Sequence, residues 1–207
     1  MKIKNLKGTR EFIVYCQKYI HGRIVDLGAG KAKYKSIIKS STGEYVAFDI
    51  FAGDNIDVVG DIIHTGFDSN SFDTIVCTQV LEHIPKPWLA VQEMHRILKE
   101  GGVCIVTAPF IQASHADPHD YFRYTTEGLK SLFEGGGFDI IEHGGYGKIT
   151  STLFDFIKMI WFSPYKKPVR WSWTFLRLLI ALGVQLDRFT KNEIVYGNSY
   201  VVARKSK

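Results

Sequence analysis

The sequence predicts an α/β protein with a doubly wound, mostly parallel sheet of the Rossmann-like kind. Short apolar runs alternate with helical patterns along the chain, which is typical of a parallel sheet covered by helices on both faces. The first run leads directly into a glycine turn, Gly28-Ala-Gly30. In such sheets ligands bind beyond the carboxyl ends of the strands, so each residue that follows a strand is a candidate site residue.

The individual elements follow from periodicity and from turn residues. Thr9 is predicted to cap a first helix that ends at His21-Gly22. Helices are also predicted over 34–39, from Pro87 to Gly101-Gly102, and over 127–134. Strands are predicted over 23–27, 45–48, 73–78, 103–107 and 139–142. A helical insertion, 147–188, precedes a last apolar run near the end of the chain.

Length and composition favour a single domain over 1–207. The 207 residues are 45% hydrophobic and 23% charged, which is ordinary for a globular protein with one buried core. The net charge of +5 suits an anionic substrate or a lipid surface, but a solvated basic face is the commoner cause of such a charge. Three dispersed cysteines and the lack of a signal-peptide pattern predict a cytoplasmic location.

The glycine turn predicts a cofactor site. Gly28 and Gly30 allow backbone N–H groups to approach a ligand closely. A dinucleotide fingerprint has a third small residue where this chain has Lys33, which disfavours a nicotinamide enzyme without removing that alternative. Asp26 beside the turn would repel a pyrophosphate but suits a cationic amino acid moiety. Asp49, after the second strand, is placed to accept hydrogen bonds from a ribose diol.

The successive motifs resemble those of class I S-adenosylmethionine-dependent methyltransferases of the small type 11 kind. They lie at 25–30, 48–49, 60–61, 72–73, 80–83 and 98–102. The resemblance implies S-adenosyl-L-methionine as the cofactor and a seven-stranded sheet with a reversed last strand, which 198–204 is similar to. It also implies roles for individual residues: the turn with Ala29 holds the methionine end, Asp49 and Ile50 the ribose, Asp61 and Ile62 the adenine edge, and Gln79, Val80 and Leu81 the sulfonium. Apart from the resemblance, Tyr34, Tyr121 or Phe122 is a candidate to face the sulfonium, although aromatic residues here are more often plain packing.

A polar loop, SHADPHDYFRYT at 114–125, follows a predicted strand and therefore lies on the ligand edge. We expect it to recognise the methyl acceptor, because an oxygen nucleophile loses a proton near transfer and histidine has a suitable pKa. His119, His115 or His83 is the candidate base, with Asp120 orienting a histidine and Arg123 holding an anionic group.

The polar loop also fits two different roles. In the first, Asp120 pairs with Arg123 and Thr125 caps the following helix, so the loop is only structural. In the second, His115, Asp117 and His119 lie on one side of an extended segment and bind zinc or iron. No metal is predicted, because methyl transfer on this scaffold needs none.

The predicted function is S-adenosylmethionine-dependent methyl transfer to a small-molecule, glycan or lipid-linked acceptor. The alternatives are a non-catalytic S-adenosylmethionine-binding module and a nicotinamide-dependent oxidoreductase. No nucleic-acid partner is expected, because Thr78-Gln-Val-Leu81 stands where an enzyme methylating DNA amines would carry Asn-Pro-Pro-Tyr. The apolar stretches within 153–186 are too short to cross a membrane, so they form a lid, a homodimer surface or a peripheral membrane contact.

Overall fold

The computed structural model describes residue 6 and residues 8–39, 43–112, 114–115, 118–147 and 196–206. Nearly all of the predicted insertion, and Asp117 of the polar loop, lie outside these residues. The lid, dimer and membrane roles of the insertion therefore stay predictions. None of the helices in the described part of the chain has the length and hydropathy that a bilayer crossing requires.

Four α-helices and seven β-strands occur in the described residues. The helices are α1 (Thr9–Cys16), α2 (Lys35–Lys39), α3 (Pro87–Ile97) and α4 (Thr126–Gly135). The strands are β1 (Ile24–Leu27), β2 (Tyr45–Asp49), β3 (Val58–Val59), β4 (Phe72–Thr78), β5 (Leu98–Pro109), β6 (Phe138–Tyr146) and β7 (Asn198–Lys205). A short 3₁₀ turn, Leu81–His83, follows β4.

The strands form one sheet in the order β3-β2-β1-β4-β5-β7-β6. Neighbours from β3 to β5 are parallel, whereas β7 is antiparallel to both β5 and β6. This confirms the doubly wound sheet with a reversed last strand. The chain proceeds outward from β1 to β3 and then returns to the other side of β1 with β4. The switch point, where such sheets bind ligands, therefore lies between the carboxyl ends of β1 and β4.

Both faces of the sheet are covered by helices. On one face Val25 and Ile75 share a core with Met94 of α3 and Phe133 of α4. On the opposite face Ile24 and Val76 pack with Phe12 of α1 and Ile38 of α2. Because the central strands are buried on both sides, they form nearly continuous apolar runs rather than alternating ones. This burial fixes the strand ends from which the site is built.

Several local predictions differ from the structure, and the first helix ends early, at Cys16, before a 3₁₀ turn over Gln17–Tyr19. Gly8, not Thr9, occupies the N-cap of α1, and the Thr9 hydroxyl lies 3.0 Å from the Tyr146 hydroxyl instead. The third helix ends at Ile97, and Leu98 already pairs with Phe72 in the sheet. The two-residue strand β3 was not predicted as a separate run, since so short a segment carries no periodicity.

Candidate active site

The glycine turn after β1 packs tightly against its neighbours. Gly28 has a φ of 75°, and a Cβ there would lie 2.3 Å from Cγ2 of Val80. The backbone N–H groups of Gly28 and Ala29 both donate to the carbonyl of Phe48, at 2.8 and 3.0 Å. Only glycine fits position 28 because both the φ angle and the space exclude a side chain. The structure thus brings Gly28 of the predicted methionine site next to Val80 of the predicted sulfonium site.

Asp49 joins the glycine turn to the end of β2. Its carboxylate accepts a hydrogen bond from the N–H of Gly30 at 2.8 Å and another from that of Phe51 at 3.0 Å. Each carboxylate oxygen keeps a further lone pair for a ligand hydroxyl. Ile50 beside it is 59% exposed, so the rim of this turn presents an apolar side chain to a ligand.

Asp26 lies behind the turn, inside β1, where only 2% of it is exposed. Its carboxylate accepts a hydrogen bond of 2.7 Å from the Tyr45 hydroxyl. Burial raises the pKa of Asp26 to about 6, and the nearby Asp49 adds to the increase, against the lowering by Tyr45. A cationic group near Asp26 would stabilise its ionised form.

The remaining predicted cofactor residues divide into two groups. Gly60 donates to the Asp49 carbonyl at 2.9 Å, and Asp61 accepts from the N–H of Ile63, so this segment lies beside the end of β2. Ile62 is buried in the same core as Phe48. Tyr34, by contrast, is 9% exposed and packs in the core on the other face of the sheet. Besides this packing, Nζ of Lys33 lies over the Tyr34 ring, 4.9 Å from its centroid.

Gln79 directly after β4 adopts an unusual backbone conformation. Its φ is 58°, in the left-handed region, which costs a non-glycine residue about 1–3 kcal/mol. The side chain Nε2 donates to the Thr107 hydroxyl at 3.0 Å, and the backbone N–H donates to the Thr107 carbonyl at 2.9 Å. Such strain concentrates at ligand-binding sites. Thr107 was not predicted as a site residue because only the pairing of β4 with β5 places it there.

The polar loop docks on the 3₁₀ turn that follows β4. The backbone N–H groups of Tyr121 and Phe122 donate to the carbonyl of Glu82, at 2.7 and 3.3 Å. The Tyr124 hydroxyl donates to the carbonyl of Leu81 at 3.1 Å. These bonds hold the loop against the segment that carries His83, one strand away from the glycine turn.

Asp120 and Arg123 form the predicted ion pair. The guanidinium donates to both carboxylate oxygens of Asp120, at 2.5 and 2.7 Å, and its Nε donates to the Gln112 carbonyl at 3.1 Å. Asp120 also accepts from the N–H of His115 at 2.9 Å. The hydrogen bonds from Arg123 hold the pKa of Asp120 well below its usual range. The pair closes the loop on itself, so Arg123 already has an anionic partner within the protein.

The histidines are not arranged as they would be in an extended segment. Nδ1 of His83 lies 2.5 Å from the carbonyl of His119, so this nitrogen donates and Nε2 carries the lone pair in the neutral ring. The His83 and His115 rings lie edge to face with centroids 5.1 Å apart. The His119 ring is exposed and lies beside Tyr121, with centroids 5.7 Å apart. The structure therefore groups His83 with His115, while His119 contributes a carbonyl.

Glu82 lies within the motif at 80–83, but the sequence assigned it no role of its own. It is 0% exposed, and neither carboxylate oxygen has a hydrogen-bond partner among the described residues. Its Oε1 lies 3.7 Å from Nε2 of His83. Burial raises the pKa of Glu82 above its ordinary value. The only sequence signal was a carboxylate between the apolar Leu81 and His83 at a strand end.

Part of the chain is similar in sequence to known methyltransferases. Residues 25–106 match the family model described as a methyltransferase domain. A demethylmenaquinone methyltransferase of Staphylococcus epidermidis is 43% identical over 58 residues, which are 27% of this chain and 24% of that protein. The chain thus spans about a quarter of the length of this curated relative.

Two solved structures share the fold across almost the whole chain. A SAM-dependent methyltransferase from Archaeoglobus fulgidus has a TM-score of 0.62 and 16% identity, covering 96% of this chain and 95% of that one. The [4+2]-cyclase SpnF has a TM-score of 0.64 and 16% identity, covering 95% and 80%. The fold, the order of the motifs and the methyltransferase-domain match over residues 25–106 make this chain similar to class I S-adenosylmethionine-dependent methyltransferases. S-adenosylmethionine is the cofactor of that class.

Proposed function

We propose that this chain is an active enzyme that transfers the methyl group of S-adenosylmethionine to a small-molecule acceptor, including a glycan- or lipid-linked one. The observation that carries the proposal is the meeting of two segments at one edge of the sheet. Val80 contacts the glycine turn, and Glu82, two residues further, holds the polar loop through its carbonyl. A methyl donor in the turn and an acceptor at the loop would therefore be neighbours.

The cofactor would lie across the switch point between β1 and β4. Asp26 would balance its amino group, while Asp49 and Ile50 would contact the ribose. Asp61 and Ile62 would face the adenine, and Gln79 to Leu81 would flank the sulfonium. In the transfer, an acceptor lone pair forms the new bond to the methyl carbon as the carbon–sulfur bond breaks, and its electron pair leaves with S-adenosylhomocysteine. Positioning supplies most of the rate enhancement in such a reaction.

We propose His119 as the group that takes the acceptor proton. Its ring is exposed on the loop, whereas Nε2 of His83 lies beside the buried Glu82. Asp120 and Arg123 act as positioning residues, because they bind each other and the backbone of the loop. A small acceptor is in line with the named activity of the curated relatives, since demethylmenaquinone is a small molecule.

The test is acceptor-dependent formation of S-adenosylhomocysteine, measured by mass spectrometry with methyl-labelled cofactor. The acceptors would be a demethylated quinol, phenols, sugar nucleotides, lipid-linked sugars and cell metabolite extracts. We expect His119→Ala to lower turnover by about 100-fold or more, as for loss of a general base, without weakening S-adenosylhomocysteine binding. Wild-type protein that binds the cofactor but methylates nothing in this panel would overturn the proposal.

A non-catalytic or differently reacting cofactor-binding protein is the second candidate. The likeness to a [4+2]-cyclase favours keeping it, because the same fold occurs in a protein named for another reaction. Thermal-shift measurements with S-adenosylhomocysteine and NAD separate both candidates from a nicotinamide enzyme. Stabilisation by NAD alone would exclude both.

A further inference from the structure

We propose that Glu82, His83 and His115 form a binding site for a divalent transition-metal ion, Zn²⁺ or Fe²⁺ in chemical character. One ligand atom from each of the three side chains lies within 4.8 Å of the other two. Two imidazoles and a carboxylate are the ligand set of catalytic zinc sites and of non-haem iron(II) sites. This set differs from the one that an extended loop would supply, because His83 comes from the turn after β4.

The buried carboxylate of Glu82 is the strongest reason for a cation. A carboxylate charge without water or a hydrogen-bond donor is unfavourable in a protein interior, so a buried carboxylate takes up a proton or is paired with a cation or a metal. Both oxygens of Glu82 lack a hydrogen-bond partner among the described residues, although the side chain is fully buried. The Nε2 atom of His83 lies 3.7 Å from Oε1 of Glu82, too far for a hydrogen bond. A metal ion between them would satisfy the carboxylate.

His83 is already oriented as a ligand. Metal-bound histidines almost always donate their other ring N–H to a carbonyl or carboxylate, which fixes the tautomer and the ring plane. Nδ1 of His83 does this to the carbonyl of His119 at 2.5 Å. Nε2 is left with its lone pair on the side of Glu82, from which it is 3.7 Å away.

His115 is held by the pair that closes the loop. Asp120 accepts from its backbone N–H at 2.9 Å, and the same carboxylate oxygen lies 3.8 Å from Nδ1 of its ring. Arg123 fixes Asp120 in turn. The Asp120–Arg123 pair therefore positions His115, one of the three proposed ligands.

The distances suit an ion after small side-chain rotations. Zinc lies about 2.0–2.2 Å from nitrogen and oxygen ligands, so tetrahedral ligand atoms are about 3.3 Å apart. The distance of 3.7 Å between Glu82 and His83 is close to this. Three protein ligands leave an open position, as in catalytic sites. The catalytic consequence rests on the proposed function: an acceptor hydroxyl bound there would have a lowered pKa, and His119 would take its proton.

Direct metal binding tests the site. Full-length protein freed of metal by a chelator would be titrated with ZnCl₂, and anaerobically with Fe²⁺, in competition with a chromophoric chelator. We expect one ion per chain, and binding weakened by about 100-fold or more in His83→Ala and His115→Ala, since each loses a ligand. Glu82→Gln, which keeps the shape but removes the charge, should weaken binding by about 10-fold or more.

His119→Ala is the matched control, because its side chain is not a ligand and its carbonyl remains. Its metal affinity should stay within about threefold of wild type. Each variant must also bind S-adenosylhomocysteine, which shows that it is folded. Absence of binding in the wild type, or equal affinity in wild type, His83→Ala and His115→Ala, would overturn the metal site. Methyl transfer by metal-free protein would leave the proposed function standing while removing the ion from its chemistry.

Discussion

At the residue scale, Asp26 is proposed to link the stability of the fold to cofactor binding. Its pKa is raised from 3.8 to about 6, so the folded protein binds this proton more tightly than the unfolded chain. The stabilising contribution is therefore complete at low pH and is lost as the pH rises through the folded pKa. At neutral pH the ionised carboxylate opposes folding unless a cation accompanies it. The amino group of the bound cofactor would be that cation.

The pH dependence of binding checks the role of Asp26. We expect the affinity for S-adenosylhomocysteine to rise between about pH 5 and pH 7.5, as Asp26 ionises. Asp26→Asn should show no such rise, and should bind about 1.5–3 kcal/mol more weakly at neutral pH, the range for a hydrogen bond to a charged group. Calorimetry at several pH values measures both. A wild-type affinity that does not change with pH would remove Asp26 from contact with the amino group.

Asp49 carries the prediction for the ribose. Asp49→Ala should weaken S-adenosylhomocysteine binding by about 1–3 kcal/mol, because the ligand hydroxyls and the N–H groups of Gly30 and Phe51 lose their acceptor. Calorimetry is again the measurement. Asp139→Ala is the control, since that carboxylate bonds Ser206 on the surface. Equal affinities in the two variants would contradict the role of Asp49.

At the scale of elements, α4 begins at a cap that also ends the polar loop. The Thr125 hydroxyl accepts from the N–H of Gly128 at 3.0 Å, as the sequence predicted. Thr125→Ala should lower the free energy of unfolding by about 1 kcal/mol, whereas Thr125→Ser should retain most of it. Denaturant unfolding of both variants and of Thr126→Ala provides the comparison. A loss in Thr125→Ser as large as in Thr125→Ala would mean that the methyl group, not the cap, stabilises this helix.

Elements with strong local signals could be predicted from the sequence, while boundaries set by pairing could not. The glycine turn, β2 and α4 have apolar runs, a left-handed glycine or a capping hydroxyl that act locally. Leu98, in contrast, continues the helical periodicity of α3, yet its pairing with Phe72 draws it into β5. Thr9 likewise has a capping side chain that contacts the distant Tyr146 instead.

At the scale of the whole molecule, the site is predictable only as far as the sheet order fixes it. The rule that ligands lie beyond parallel strand ends placed Asp49, Gln79 and the polar loop at one edge. The path of that loop was not predictable, because it depends on hydrogen bonds from Tyr121 and Phe122 to Glu82. An extended loop would align His115 with His119, but the folded one aligns His115 with His83. Glu82 can be recognised as a site residue only when the docking of this loop is known.

The position of β7 between β5 and β6 has a consequence for how the protein is made. As the chain leaves the ribosome, β5 and β6 emerge well before β7, yet β6 lies at the edge of the sheet and pairs there with β7. Until residues 198–205 arrive, both of these strands present unpaired backbone edges, which are templates for aggregation. These edges are covered only when β7 pairs with both β5 and β6. Pairing between strands that are far apart in the sequence is slow. The length of chain between β6 and β7 therefore sets how long these edges stay unpaired during synthesis.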